Sequence, residues 1–336
     1  MQEIDKLVEK SLKGDKLSTA RLISMVERGN ENAPYILKKI FPLSGRAYYI
    51  GVTGPPGAGK STTVDRLIAS FCKNNYSVGV IAVDPSSPFS GGALLGDRVR
   101  MHVKQDKMDV FIRSMSTDRV MGGLSRTTKE ASRILDASGK QIIIIETAGV
   151  GQSELDIAEA TDTVLVILTP ESGDSIQIMK AGLLEIADIF VVNKADRPGA
   201  KDISLSIQGM LDRSLRKREW IPPIFLTSAS TNVGMDELYE GVWNHSRYLK
   251  QDSHLEERRK AQLKLELRAR IESEFSQILW KDIVTKKNID NAVEKIWSRS
   301  IDPQNAARNI VMELIEELVI KGKKTYRSKT DVPSRT

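Results

Sequence analysis

Residues Tyr48 to Arg66 read YYIGVTGPPGAGKSTTVDR, an apolar run that ends in a glycine-rich turn and opens into a helical pattern. Within it Gly54, Pro55, Pro56, Gly57, Ala58, Gly59, Lys60 and Ser61 satisfy G-x-x-x-x-G-K-[ST], with Thr62 following. Such a turn offers bare backbone N–H groups and a helix N-terminus to the α- and β-phosphates of a nucleotide. Its glycines let the main chain approach without a Cβ in the way. Lys60 is expected to reach the β- and γ-phosphates. The Ser61 hydroxyl is expected to complete a Mg²⁺ shell made otherwise of phosphate oxygens, water and carboxylates. A Gly-rich turn can also be merely structural. Here the strand end Ile50 to Thr53 precedes it, and Val64, Leu67, Ile68 and Phe71 follow at helical spacing, which is the context a nucleoside-triphosphate site requires.

Downstream, short apolar runs alternate with amphipathic segments, which implies parallel strands joined by helical crossovers. Strands are expected at 48–52, 78–83, 110–113, 142–146, 164–168, 189–192 and 224–227. Their near-continuous Val and Ile content fits strands covered on both faces. The fold class is therefore α/β, a mostly parallel sheet with helical extensions at both ends. Three expected segments follow: an N-terminal helical extension over 1–45, a nucleotide domain over 46–250 and a C-terminal helical arm over 251–336. In the first, Ile4, Leu7, Val8 and Leu12 form one stripe and Ala20, Leu22, Ile23 and Val26 another, with Ser18 or Thr19 as the expected cap of the second helix.

Ligands of such sheets bind beyond the carboxyl ends of the strands, and the remaining polar motifs fall there. The second strand ends at Asp84 and runs into PSSPFSGGALLGDRVRM, which carries Asp97. A long polar connection of this kind is either a switch loop bringing carboxylates to Mg²⁺ and the attacking water, or a plain surface loop. After IIIIE comes TAGVGQSE, so Glu146 stands at a strand end as a candidate metal carboxylate. Gly149 is the candidate γ-phosphate amide. Val150 occupies the place where many such enzymes carry a water-positioning glutamine. The strand 189–192 leads into Asn193, Lys194, Ala195 and Asp196, an N-K-x-D. A carboxylate at Asp196 can accept from both the ring N–H and the exocyclic amine of guanine, a pair adenine lacks. Asn193 is expected to brace the loop, the Lys194 stem to lie on the ring face, and Ser228 and Ala229 to complete the base loop, with the Ala229 N–H meeting the guanine carbonyl.

Composition narrows the classes. The 336 residues carry a formal charge of +6, from 50 Lys and Arg against 44 Asp and Glu. The two signs alternate along the chain, which reads as a solvated surface and not a nucleic-acid footprint. The single cysteine, Cys72, excludes an internal disulfide, and its helical neighbours suggest a small buried residue. His102, His245 and His254 are too scattered for a His-rich metal site, which argues against a nickel metallochaperone. No apolar run is long enough to span a membrane, and a cytoplasmic location is expected. Near the C-terminus, Asp302 and Pro303 form an N-cap and first helical position for a stripe of Ala307, Ile310, Val311, Leu314, Ile315 and Leu318. That stripe fits burial on the chain's own domain or on a second copy.

Taken together, GPPGAGKST, VDPSSPFSGGALLGDRVRM, ETAGVGQSE, GDSIQIMKAGLLEIAD and NKADRPGA resemble the MeaB/ArgK family of G proteins, from about residue 18 to residue 325. The resemblance implies a GTPase chaperone of an adenosylcobalamin-dependent acyl-CoA mutase, typically methylmalonyl-CoA mutase, that gates cofactor loading and protects the mutase. It implies a homodimer joined through C-terminal helices. By resemblance Lys60 and Ser61 serve phosphate and Mg²⁺, and Asp84, Asp97 and Glu146 surround the metal and the water. Asn193, Lys194 and Asp196 read guanine. Asp174, Gln177 and Lys180 belong to a third switch that couples the nucleotide to the partner, Lys180 being a candidate catalytic group as well. The chain departs from the family where Thr117, Asp118 and Arg119 stand before Met121 to Leu124 in place of Thr-Arg-Gly. An older kinase assignment for transport proteins attaches to ArgK-type sequences, but nothing here resembles a kinase catalytic loop.

Overall fold

The computed structural model describes residues 1–84, 109–116, 126–147, 153–171, 182–214, 219–280 and 286–313. Its centre is a sheet of seven strands: β1 (Tyr48–Thr53), β2 (Val78–Asp84), β3 (Val110–Ser116), β4 (Ile142–Thr147), β5 (Thr163–Leu168), β6 (Ile189–Val192) and β7 (Ile224–Leu226). They lie in the order β3-β2-β4-β1-β5-β6-β7, and each neighbouring pair is parallel. All seven expected strands are present. β3 runs past Arg113 to Ser116 because each of its residues finds a partner on β2, up to Asp84↔Ser116.

The apolar strands bury both faces, with successive side chains going to opposite sides. Ile142, Ile144, Leu165, Ile167, Ile189 and Val191 join Val64, Leu67, Ile68 and Phe71 of α4 (Lys60–Lys73) on one face. Ile143 and Ile145 join the opposite face over β2 and β4, beneath α5 (Arg126–Ala137) and the N-terminal helices α1 (Gln2–Leu12), α2 (Lys16–Glu27) and α3 (Ala33–Ile40). Val164, Val166, Phe190 and Val192 pack on α8 (Ala200–Ser214). The short α6 (Ser153–Asp156) and α7 (Leu184–Ile186) complete this side.

Two local expectations are corrected. The cap of α2 is Asp15, whose carboxylate accepts from the Ser18 N–H at 2.7 Å. Ser18 and Thr19 lie inside the first turn, and a carboxylate three residues ahead of a free N–H is the better acceptor. Cys72 is half-buried at the edge of the core, not enclosed in it.

The chain divides into two compact units, residues 1–262 and 263–336. The first includes α9 (Met235–Lys250) and the opening turns of α10 (His254–Ile278). Those turns are tied to the amino ends of the strands. Arg258 donates to both oxygens of Asp188 at 3.0 and 2.8 Å. Arg259 donates to both oxygens of Asp162 at 2.8 and 2.6 Å and to the Gly45 and Ala47 carbonyls, each at 2.7 Å. Each carboxylate also accepts a strand N–H, Tyr49 N on Asp162 and Val164 N on Asp188. In the second unit the described residues are the rest of α10, α11 (Lys286–Trp297) and a helix over 303–313. Asp302 caps that last helix by accepting from the Asn305 N–H at 3.0 Å. Of its expected apolar stripe, Ala307 and Val311 are exposed and Ile310 half-buried, and residues from 314 onward lie outside the described residues. Among the described residues no helix is long and apolar enough to cross a membrane.

His245 on α9 is 1% exposed, with Nδ1 2.8 Å from Thr163 Oγ1 and the Trp220 ring 4.7 Å away. Burial lowers its pKa to about 4, overriding the pull of Asp188 and Asp162 in the other direction; Arg258 adds to the lowering. The unfolded chain therefore takes up a proton below pH ~6.5 that the native state refuses, so stability is full above that pH and falls as pH drops toward 4. Between pH 7.5 and 5.0 this group alone costs about 2 kcal/mol of unfolding free energy. Urea unfolding at the two pH values should show that loss, and His245→Gln should remove most of it.

Candidate nucleotide site

The turn after β1 is built for close backbone approach. Gly54 has φ +138°, and a Cβ there would lie 2.0 Å from the Ile167 carbonyl oxygen of β5. Gly59, the left-handed N-cap of α4 at φ +85°, would place a Cβ 2.3 Å from Asn193 Nδ2. A side chain at Gly54 would collide with the main chain of β5, and one at Gly59 would displace the Asn193 amide and strain a left-handed backbone. Pro55, Pro56, Gly57 and Ala58 span the turn, and Lys60 opens the helix with its side chain buried, Nζ donating to the Gly54 and Pro55 carbonyls at 2.8 and 3.0 Å. The ammonium is thus held within the phosphate loop. Thr62 is exposed on the first turn.

The parallel register brings the first carboxylate to the same place. β4 sets Glu146 beside Val52 of β1, and Thr147 Oγ1 donates to Thr53 Oγ1 at 3.0 Å to fix the two strand ends. Ser61 Oγ then donates to Glu146 Oε1 at 2.6 Å. β2 carries Asp84 to the same end of the sheet, one residue beyond the Val83↔Thr147 pairing. A hydroxyl and a carboxylate oxygen converging beside a phosphate loop are hard donors that fit Mg²⁺. Among the described residues no group of three or more His, Cys, Asp or Glu could hold a metal. Phosphate oxygens, water and further carboxylates would complete the shell. Asp97, Gly149, Asp174, Gln177 and Lys180 lie outside the described residues.

The base loop is assembled from β6 and β7. Asn193, buried at the end of β6, donates from Nδ2 to the Ala58 carbonyl at 2.9 Å. Its Oδ1 accepts from Thr227 Oγ1 at 3.3 Å and from the Ala229 N–H at 3.1 Å. The Ala229 amide, expected to meet the guanine carbonyl, is thus engaged by Asn193. Ser228 Oγ donates to Asp196 Oδ1 at 2.6 Å and so sets the face of that carboxylate. Lys194 adopts φ +57° and extends Nζ to Glu171 Oε2 at 3.0 Å, and Arg197 also pairs with Glu171. Phosphate and base groups lie at one end of the sheet, as the strand-end rule requires.

Two participants escaped the sequence. Glu171 follows β5 with no motif of its own. Arg66, on the outer part of α4, donates from Nε to the Ala229 carbonyl at 2.8 Å and from a terminal nitrogen to the Ser230 carbonyl at 3.1 Å. Both are nonlocal partnerships, and no spacing rule marks them.

Comparison with known proteins agrees with this geometry. The Escherichia coli protein named GTPase ArgK is 30% identical over 306 residues, 88% of this chain and 92% of that protein. The mouse protein named methylmalonic aciduria type A homolog, mitochondrial, is 31% identical over 322 residues, 90% of this chain and 78% of its own. A solved structure described as an LAO/AO transport system kinase superposes with a TM-score of 0.72 at 25% identity, covering 94% of this chain and 98% of that one. The family model described as methylmalonyl Co-A mutase-associated GTPase MeaB matches residues 19–283, so the chain belongs to the MeaB family and is a GTPase.

Proposed function

We propose that this GTPase is a Mg²⁺-dependent switch and chaperone for an adenosylcobalamin-dependent acyl-CoA mutase, methylmalonyl-CoA mutase or a close relative, gating cofactor loading and protecting the mutase. The observation that carries the partner assignment is the family match over residues 19–283. Support also comes from the name of the mouse relative. Adenosylcobalamin belongs to the partner; this chain's own ligands are GTP, GDP and the metal.

In the hydrolytic step a water oxygen attacks the γ-phosphorus in line, the bond to the β,γ-bridging oxygen breaks, GDP leaves, and the water's proton passes to phosphate and solvent. Lys60, released from the Gly54 and Pro55 carbonyls onto the β- and γ-phosphates, takes up developing charge together with the amides of the turn. Ser61 and Glu146 would hold Mg²⁺, with Asp84 and Asp97 as further carboxylates. When bound, the ion neutralises phosphate oxygens and orients them. Asp196, steadied by Ser228, reads the two N–H groups of guanine, with Lys194 over the ring. With Val150 where a water-positioning glutamine would stand, turnover by the isolated protein is slow. A partner supplying the missing groups can raise it by roughly 10³–10⁵. Asp174, Gln177 and Lys180 carry the coupling.

The arm over 251–336 joins two copies. On α10, Leu263, Leu267, Ile271 and Phe275 recur every four residues, 46%, 59%, 59% and 52% exposed. Covering the exposed half of such side chains is worth about 1 kcal/mol each, roughly half the value of full burial. Light scattering on the full-length protein should give twice the chain mass; a monomer at all concentrations tested would end this part of the proposal.

Phosphate release from GTP, with ATP as control, should be slow for the protein alone and rise at least tenfold when methylmalonyl-CoA mutase is added, within the span of partner-activated GTPases. Lys60→Ala should abolish both the turnover and its stimulation. Stimulation absent across the acyl-CoA mutases would leave the GTPase without this partner class. Asp196→Asn should weaken GTP by roughly tenfold to a hundredfold, since it loses a doubly accepting carboxylate. It should correspondingly favour xanthosine triphosphate in competition, because an amide N–H matches the ring carbonyl that replaces the guanine amine.

A further inference from the structure

We propose that Arg66 is a positioning residue for the base subsite: it fixes the base loop to the phosphate helix and thereby sets how fast nucleotide leaves. This rests on the guanine-site reading above. Arg66 follows Lys60 by six residues, about 9 Å along the α4 axis. It therefore stands away from the phosphates while sharing their helix.

Its guanidinium faces the base loop. It places two N–H groups on two successive carbonyls, Ala229 at 2.8 Å and Ser230 at 3.1 Å. Hydrogen bonds from a charged donor are stronger than neutral ones, and the planar fork fixes direction as well as distance. Together with Asn193 these bonds close a ring. The Ala58 carbonyl accepts from Asn193 Nδ2, Asn193 Oδ1 accepts from the Ala229 N–H, and the Ala229 carbonyl accepts from Arg66. The main chain from Arg66 back through α4 to Ala58 completes it. Both polar groups of the Ala229 residue are held, one from β6 and one from α4, and Ala229 itself is 1% exposed.

The consequence is mechanical. The main chain already ties the base loop to β6 and to itself, with the Thr227 N–H on the Val192 carbonyl, the Ala195 N–H on the Thr227 carbonyl and Ser228 paired with Val233, and Asn193 fixes it to the turn. Arg66 adds an attachment to α4 at Ala229 and Ser230, where its bond to Ser230 is exposed. Losing that attachment frees Ala229 and Ser230 to shift relative to α4, and so loosens the setting of the neighbouring Ser228 hydroxyl that steadies Asp196. Base recognition then weakens while the phosphate loop stays intact.

The test is release of fluorescent GDP from the full-length protein, wild type against Arg66→Ala and Arg66→Lys, with inorganic tripolyphosphate as a probe of the phosphate loop alone. Arg66→Ala should speed GDP release about tenfold, the scale of losing charged hydrogen bonds. Tripolyphosphate affinity should stay within twofold, and Arg66→Lys should fall between the two proteins. Release by Arg66→Ala within twofold of wild type would overturn the proposal. So would an equal loss of tripolyphosphate affinity, which is the mark of general damage to the fold. Should Arg66→Ala fail to fold, Arg66→Lys is judged alone, a faster release with tripolyphosphate affinity kept supporting the proposal and unchanged release overturning it. Asp196→Asn is run in the same series. If it loses GDP and the Arg66 variants do not, only this proposal fails; if it holds GDP as wild type does, the guanine reading fails and this proposal with it.

Discussion

The structure depends on one close approach, that of the Gly54 backbone to the Ile167 carbonyl. A side chain at residue 54 would occupy the space of that oxygen. The constraint requires β5 to lie directly beside β1 and to extend as far as the turn, and the Thr53↔Val166 pairing gives that extension. It also draws in β6, since Asn193 closes over the turn onto the Ala58 carbonyl. On the other side β4 must deliver Glu146 to Ser61, which the Val52↔Glu146 register accomplishes. Phosphate loop, carboxylate and base loop are therefore consequences of three parallel registers, β4 with β1, β1 with β5 and β5 with β6.

The opposite end of the sheet carries the compensating polar load. Asp162 and Asp188 sit where β5 and β6 begin, each accepting a backbone N–H and an arginine fork. Buried ion pairs contribute little net stability against an apolar replacement, yet removing one partner costs about 3–5 kcal/mol because a charge is left unpaired. Their effect here is positional. They fix the start of α10 to the strands whose far ends hold Leu168 and Asn193. Buried His245, kept neutral, fills the space between Thr163 and Asp188.

The sequence made most of this architecture legible, for a physical reason. Strands such as Ile142–Thr147 are apolar at every position, because one set of side chains meets α4 and the other meets α5 and the N-terminal helices. The phosphate turn was legible because its glycines answer local steric demands. The cap of α2 was misread because two hydroxyl residues drew attention from the carboxylate just ahead of them. Arg66 was not legible, since its carbonyl partners lie 163 and 164 residues away. Arg258 and Arg259 were hidden for the same reason, as charges on a charged helix with no local pattern to separate them from solvated neighbours.

α10 unites two opposite demands in one element. Its first turns carry arginines whose forks are fully engaged by Asp162 and Asp188 within the compact unit. Its later turns carry Leu263, Leu267, Ile271 and Phe275 outward among charges paired along the helix, such as Arg268 with Glu272. Such i,i+4 pairs add only about 0.3–0.5 kcal/mol each, enough to support a helix but not to offset an uncovered apolar row. A helix that is firmly anchored at one end and apolar beyond it is stable as a helix yet incomplete as a surface. In the proposed dimer a second copy would meet it with the same row at the same spacing, which is what a self-complementary interface requires.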